Sequence, residues 1–529
     1  MNVPAIPEPS ESLDAPALAA RVREQQRVLE QLQAQIRQYE QAIAQSTALV
    51  REKDATIARL THEIAVLRRL RFGKKSEQLG SAQLSLLEET VAEDIAAIEQ
   101  ELEQLRETPR TQAQPATARR QPLPPELPRV EIRHEPEEPQ CGCGQPLERI
   151  GEDVTEKLDY TPGVFTVQRH IRGKWVCRCC EKLVQAPVPA HVIDKGIPTP
   201  GLLAQVLVAK YAEHLPLYRQ QRIFERAGVS VPVSSLADWV GASGVALQPL
   251  ADALREVILA QPVLHADETP IQVLRPETGT KPHRAYLWAY APSAFDTLKA
   301  VVYDFTPGRS GEHARAFLGK WRGKLIVDDY VGYKKVLAAV GVTEIGCWAH
   351  ARRKFHDLHA ASGSPVAEQA LAYIGELYAI EREVKALDAE ERWRIRQQRA
   401  KPLLEKLHAW MQAQRARVPE GSGIARALDY SLKRWDALMR YADDGRVSID
   451  NNYIEQQIRP LALGRRNWLF AGSLRAGRRA AAIMSLLHSA RLNGHDPYAY
   501  LKDVLTRLPT HPHSRIEELL PHNWRPANA

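Results

Sequence analysis

From Val22 an apolar residue returns at every seventh position through Leu29, Ile36, Ile43, Val50, Ile57 and Ile64, and Leu32, Tyr39, Leu60 and Leu67 sit three residues after that beat. Mostly β-branched first positions with leucine at the fourth describe a left-handed coiled coil and favour a parallel dimer. Gln25, Ser46 and Lys53 fall at fourth positions and weaken its middle. No Pro or Gly interrupts residues 17–72, so the pattern predicts one long helix that pairs with a second copy. A helix packed on its own protein is the other reading. The segment "RFGKKSEQL" then breaks the helix at Gly73, its cations fitting a DNA contact or a solvated hinge equally. An acidic helix is predicted from about Ala82 to Arg106, and six prolines within residues 108–129 read as a semi-rigid linker.

Residues 199–259 carry helical patterning. "PLYRQQRIFERAGVSVPVSSLADWV" predicts a helix, a turn at Gly228, and a second helix capped by Ser234 or Ser235, the spacing of a helix-turn-helix. Such a pair can read a major groove or simply pack. Near Pro262 the period changes. "VLHADETP" is a β-branched and apolar run that breaks off at Asp267 and Glu268. "HRAYLWAYAP" and "LKAVVYDF" supply two more strand-like runs, a helix follows from about Ser310 to Leu318, and the run Leu325–Val327 ends at Asp328 and Asp329. Strands first, then alternating helix and strand, predict an α/β or mixed sheet. After "VTEIGCWAHARRKF" the chain turns helical, with Ile374, Leu377, Tyr378 and Val384 on one stripe and Trp393, Leu404, Leu407, Trp410 and Trp435 adding bulk.

Composition changes this picture in two places. With 529 residues, 44% hydrophobic and 26% charged, the chain has room for several domains. Its net charge of +7 leans toward a polyanionic partner, and the cations cluster at Arg68–Lys75, Arg352–Lys354, Arg465–Arg466 and Arg475–Arg479. No apolar run is long enough to span a bilayer and no signal peptide is visible, which predicts a cytoplasmic protein without membrane association. In that compartment cysteines bind metal more readily than they form disulfides. "CGCG" at 141–144 and "CRCC" at 177–180, separated by β-prone sequence, predict a structural Zn²⁺ site on a β-ribbon with Cys141, Cys143, Cys177 and Cys180 as ligands, Cys179 being able to replace a neighbour.

The acids carry the chemistry. Asp267 and Asp328 end two strand-like runs, and a third carboxylate, Glu455, lies in "SIDNNYIEQQIRP" on a helix that Asp450 can cap, with Arg459 one turn later. Two strand ends and a helix can hold a pair of hard cations through oxygen, and Mg²⁺ suits such ligands. That arrangement fits two-metal phosphoryl transfer. The long gap before Glu455 demands an insertion. An exposed helical Glu paired to Arg459 is the bland alternative. Arg465 and Arg466 beside Asn467 and Trp468 form a set able to meet phosphates and stack on a base, or else a buried Trp beside solvated arginines.

The words "HADETP", "DDYVGY", "CWAHARRKF", "IDNNYIEQQIRPLALGRRNWLF" and "HLPLYRQQRIFERAGV" together resemble the transposases of the insertion-sequence sixty-six family, of the Asp-Asp-Glu class, from about Arg71 to about Leu505. The resemblance implies a ribonuclease-H-like core with Asp267, Asp328 and Glu455 catalytic, Asp329 being the alternative to Asp328, and two Mg²⁺ or Mn²⁺ ions per site. It implies double-stranded DNA as partner, both the element's terminal inverted repeats and a target, bound by Arg352, Arg353, Lys354, Arg459, Arg465, Arg466 and Trp468. Homodimers or higher oligomers and accessory proteins of the same element are further implied partners. Cys347 and His350 in "CWAH" resemble a pair that orders the core or lies near the DNA in related enzymes; one Cys and one His do not make a zinc site by themselves, so a packing and hydrogen-bonding role is the expectation and metal binding the alternative. The family's first zinc knuckle is usually Cys-x-x-Cys, whereas here it is Cys-x-Cys. The expected organisation is a coiled coil (1–72), acidic helix and linker (73–129), zinc ribbon (130–190), helical DNA-binding region (191–259), first part of the core (260–362), helical insertion (363–446), second part of the core (447–480) and a helical C-terminal region (481–529). The competing functions are a zinc-containing DNA-binding regulator with an inactive core and a nuclease that cuts without joining.

Overall fold

The computed structural model describes residues 15–72, 81–105, 123–125, 127–136, 140, 145–161, 163–193, 196–274, 283–338 and 341–526. Cys141, Cys143, the Gly73 hinge and most of the Pro-rich linker lie outside these residues. The chain divides into two compact units. The first is built on α1 (Ala15–Phe72), one unbroken helix as the heptads predict, along which Leu29, Leu32, Ile36, Tyr39, Ile43 and Val50 are exposed.

The second unit starts at Leu67, in the last turns of α1, and takes in most of α2 (Ser81–Leu105). The acidic helix grouped with the linker is no solvated spacer. Glu89, Glu93 and Asp94 are almost fully buried. Lys210 pairs with Glu89 and, at 3.0 Å, with Glu93, while Arg479 reaches Glu93 at 2.6 Å and Asp94 at 3.1 Å. Burial pushes the Glu89 and Asp94 carboxyls up, and these two cations pull them back. The close approach needs Gly241, where a Cβ would meet the Glu93 carbonyl oxygen at 2.4 Å.

Next comes a four-stranded ribbon of β1 (Arg129–His134), β2 (Glu148–Thr161), β3 (Val164–Val176) and β4 (Leu183–Gln185). Its long antiparallel pair, β2 and β3, turns at Gly163, and β1 runs parallel along β3. The second cysteine knuckle follows β3 directly. Cys177 is buried against Leu147, Trp175 and Val184, and the Gln140–Pro146 bridge brackets the first knuckle.

Three helices follow, α3 (Pro200–Tyr211), α4 (Leu217–Arg226) and α5 (Val233–Leu259), with Gly228 at a positive φ of 82° between the last two. One expectation changes here. Helix α5 starts at Val233 with Pro232 in the cap position, so Ser234 and Ser235 lie inside its first turn. Leu236, Ala237, Trp239 and Val240 are buried, so one face of this helix packs on the core, while Asp238 on it is exposed. Among the described residues, the exposed cations of these three helices are Arg219, Arg222 and Arg226 on α4.

The central sheet has β5 (Val263–Val273), β6 (His283–Pro292) and β7 (Val302–Thr306), then α6 (Gly311–Leu318), β8 (Gly323–Ile326), the short α7 (Lys334–Leu337) and β9 (Val342–Ile345). Its order is β7-β6-β5-β8-β9, with β5, β6 and β7 antiparallel and β8 and β9 parallel to β5. Helices α8 (Trp348–Ser362), α9 (Pro365–Val384), α10 (Ala389–Ile395), α11 (Lys401–Arg415), α12 (Gly423–Lys433) and α13 (Trp435–Met439) then intervene. Their hydrophobic core takes in Trp348, Ala351 and Phe355 of α8 together with Val263, Ile326 and Ile345 of the strands. The helices of the insertion are thus packed continuously, through α8, onto the strand ends.

The chain returns through α14 (Asn452–Trp468), β10 (Phe470–Ala471), α15 (Leu474–Leu492) and α16 (Pro497–Arg507). Edge strand β7 is closed by α15. Ser485 and Ser489, one helical turn apart, accept the amides of Tyr303 at 2.8 Å and Val301 at 3.0 Å, which removes unpaired donors from that edge. Because removing one partner strands buried charge, Arg479→Ala should destabilise this unit by about 3–5 kcal/mol. Urea unfolding checks this, and a loss below about 1 kcal/mol would show that α2 is only loosely held.

Candidate active site

Alternation along β5 sorts its residues onto two faces. His265, Asp267 and Thr269 share one face, and each meets the segment that opens or forms α14. His265 Nδ1 lies 2.8 Å from Asn451 Oδ1, Asp267 lines a cleft with Glu455 and Arg459, and Thr269 lies 3.3 Å from an Arg465 nitrogen. Glu268 faces the other way, as expected from the period. It accepts hydrogen bonds from Arg309 at 2.8 Å and Tyr333 at 2.9 Å.

Parallel pairing of β5 with β8 runs Val263 to Lys324, Leu264 to Leu325 and His265 to Ile326. Continuing that register by two residues sets Asp267 opposite Asp328. The strand itself stops at Ile326, short of the expected end, and Asp328 Oδ1 accepts the Tyr330 amide at 2.9 Å in the turn that follows. Asp329 is in an ion pair with Arg434, which also holds Glu344 at 2.5 Å, and Asp328 and Asp329 line one depression with these two residues.

Glu455 is brought in by Asn451. This fully buried amide donates to Ala266 O at 2.9 Å and accepts from His265, which burial holds neutral at about 4. Asn451 occupies the cap position of α14 without capping it, and Asp450 instead accepts the Asn452 amide at 3.1 Å. Glu455 thus enters on the first turn, where a helix favours negative charge. Its Oε1 is buried and has no hydrogen-bond partner, and His350 Nδ1 is 3.8 Å away. Burial, with Glu268, Asp328 and Glu455 acting in the same direction, drives the Asp267 carboxyl well above its usual range.

Cys347, the cap residue of α8, and His350, on its first turn, stand beside Glu455. His350 Nδ1 is 3.2 Å from Cys347 Sγ, which accepts the Asn451 amide at 3.3 Å, and burial pushes the thiol up to about 12. Sequence reasoning placed this pair in the core but gave no sign that it touches Glu455.

The cations divide by position. Arg353 and Arg459 line the cleft of Asp267 and Glu455. Arg352 and Arg353 line an adjoining groove with Arg382 and His356, and both depressions share Arg353 and Asn452. Arg382, on α9, was not anticipated, because nothing local ties it to "ARRKF". Lys354 lies instead over the Tyr430 ring at 5.5 Å. Arg465 donates to Pro270 O at 2.7 Å, and Trp468 is half-buried with Nε1 3.4 Å from His214 Nδ1, so both brace α14 rather than face the acids. Arg466 is exposed.

The fold is a mixed sheet with helices around it, carrying acids near one cleft and extended by a four-stranded ribbon and a long helix. Residues 195–479, more than half the chain, match the description Transposase IS66 family. Further matches are the IS66 C-terminal element (485–522), the zinc-finger binding domain of transposase IS66 (138–181) and Transposase C of IS166 homeodomain (59–132). Two relatives from Sinorhizobium fredii (strain NBRC 101917 / NGR234), the uncharacterized proteins y4hP and y4qI, are 37% and 38% identical over 496 and 484 residues. Each alignment covers 88% of this chain and 89% of the relative. The chain belongs to the IS66 family of transposases, and is thereby a DNA-transposition enzyme with a zinc-finger domain.

A carboxyl whose folded pKa lies above its unfolded value gives stability that is full at low pH and is lost as pH rises through the folded value. Asp267→Asn should therefore raise the thermal midpoint of the metal-free protein at neutral pH, by about 2–4 °C for each kcal/mol of relieved repulsion. The gain should vanish below about pH 4, near the unfolded value. Scanning calorimetry at the two pH values decides it, and a neutral-pH midpoint that is unchanged or lower would contradict the electrostatic account.

Proposed function

We propose that this chain binds the terminal inverted repeats of its own element, cleaves DNA strands there and joins the freed ends to target DNA. Asp267, Asp328 and Glu455 would hold a pair of Mg²⁺ ions, or Mn²⁺, within a ribonuclease-H-like core. The observation that carries this reading is that Asp267 of β5 and Glu455 of the first turn of α14 line one cleft, while Asp328, just past the end of β8, is near enough to act on the Asp267 carboxyl. Asp267 feels both other carboxylates, and Glu455 Oε1 has no hydrogen-bond partner. A divalent cation relieves both conditions, so the donor set fits the group. Three antiparallel strands followed by two parallel ones support the ribonuclease-H-like assignment.

When bound, such ions activate the attacking oxygen and stabilise the leaving one in phosphoryl transfer. The protein's own residues do the positioning. Asn451 and His265 fix the start of α14, and with it Glu455, against β5, and Arg434 engages Asp329 while Asp328 accepts the Tyr330 amide. Arg353 and Arg459 flank the acids, where they would meet phosphates on either side of the reacting one. The groove of Arg352, Arg353 and Arg382 would carry the strand onward across the insertion. Asp357 is the one acid lining it, whereas Arg396, Arg399 and Arg415 elsewhere on the insertion are paired with Glu381, Glu383 and Asp429.

The remaining assignments complete the proposal. Exposed heptad positions on α1 would pair two copies, and Cys141, Cys143, Cys177 and Cys180 would hold Zn²⁺ at the ribbon tip. Cys177 is already buried beside the segment that follows the first knuckle.

Changing Asp267, Asp328 or Glu455 singly to Ala should cut both cleavage and joining by about a thousandfold or more, several kcal/mol of transition-state stabilisation, while end binding stays within about twofold. Gel assays on labelled inverted repeats with a target plasmid measure all three. An inactive regulator would give no cleavage to lose, and a nuclease would give cut ends without joined products. For the groove, Arg352→Ala and Arg382→Ala should each weaken DNA binding irrespective of sequence and lower the slope of log affinity against log salt by about one. An unchanged slope in both would remove the groove from the DNA path.

A further inference from the structure

We infer that Cys347, His350 and Glu455 form a binding site for a thiophilic divalent ion, Zn²⁺ by its ligand chemistry, separate from the ribbon. The part of this inference that concerns competition at Glu455 rests on the function proposed above; the binding does not.

The three donor atoms already stand at ligand spacing. His350 Nδ1 is 3.2 Å from Cys347 Sγ and 3.8 Å from Glu455 Oε1, and all three lie within 4.8 Å of one another. Atoms bound at about 2.0–2.3 Å to one tetrahedral zinc are separated by about 3.3–3.8 Å. Little movement is needed to close around an ion. Among the described residues this is the one group of three or more His, Cys, Asp or Glu side chains that meets such a criterion.

Its construction is local and rigid. Cys347 is the extended cap residue that opens α8, His350 stands on the first turn that follows, and Glu455 comes from the first turn of α14. The Asn451 amide directed at Cys347 Sγ is the type of outer hydrogen bond that orients a metal-bound thiolate, and Glu455 Oε1 is left without a partner in its buried position. His350 and Glu455 also line the cleft that holds Asp267, from which water can reach a fourth ligand position. One sulfur and one imidazole nitrogen distinguish this set from the all-oxygen set of Asp267, Asp328 and Glu455, and they select zinc over magnesium. On binding, the thiol proton leaves to solvent and the sulfur bonds as thiolate.

Glu455 belongs to both sets. Zinc held by Cys347 and His350 draws Glu455 Oε1 toward α8 and away from the neighbouring acids, so zinc here and magnesium at the acids compete for one carboxylate, and the zinc-bound form is a resting form.

The test uses the full chain and zinc itself. Zinc per chain is measured after equilibration in zinc-buffered solution for the wild type, Cys347→Ser and His350→Gln, each with and without Cys177→Ser, which is meant to empty the ribbon. The expected result is one equivalent fewer in both single variants, and a Co²⁺ spectrum with single-thiolate character that survives Cys177→Ser and disappears in His350→Gln. Because Cys347 is buried, the half-buried His350 provides the variant that leaves the helix packing intact. Equal zinc content in the wild type, Cys347→Ser and His350→Gln would overturn the site. Magnesium-supported cleavage should then need about tenfold more zinc for inhibition in Cys347→Ser than in the wild type. Lost zinc with unchanged inhibition would overturn the competition alone, and wild type that binds the extra zinc but never cleaves DNA would instead count against the proposed function.

Discussion

One buried side chain ties together two segments 185 residues apart, because Asn451 donates to the carbonyl of Ala266 while accepting from His265. Its position at the start of α14 would ordinarily be spent on capping that helix. Here the amide is given to the strand, and Asp450 takes over one of the helix's amide donors. The exchange fixes the first turn of α14 against β5, which places Glu455 near Asp267. Gathering like charges in a half-dry cleft is costly, as the raised pKa of Asp267 records, so the surrounding contacts must be strong enough to hold them.

Those contacts come from both ends of the sheet. The insertion shares a hydrophobic core with Val263, Ile326 and Ile345, the residues that lead into or flank the acid-bearing turns. It is a wall of the site, and the arginines of its groove are carried on helices rooted in that core. Across the molecule, α15 seals the edge of β7 through two serines, and α2 is anchored to α15 by Arg479. The acids of α2 thereby occupy arginines that a reading of charge alone would assign to DNA.

The sequence made the strand-end acids legible because each lies in a short word whose local pattern is strong, an apolar run that stops at a carboxylate. The insertion was legible from the gap before Glu455 and the helical stripe of Ile374, Leu377 and Val384. Long-range pairing was not. Glu89, Glu93 and Asp94 look like a solvated face until Lys210 and Arg479 are beside them, and "LADWV" looks like a short capped helix until α5 proves to be long and buried. Arg465 and Trp468 read as a phosphate and base contact, yet they brace α14, because the partners that occupy them, Pro270 and His214, are far away in sequence. The contact of Cys347 and His350 with Glu455 was hidden for the same reason.

Crystals grown with Mn²⁺ and the anomalous difference density at its absorption edge would test the acid cleft most directly. The account predicts two peaks about 3.5–4 Å apart, within bonding distance of the carboxylates of Asp267, Asp328 and Glu455. Density without peaks there, or manganese held by Asp329 or Glu268 while Asp267 stays bare, would contradict it.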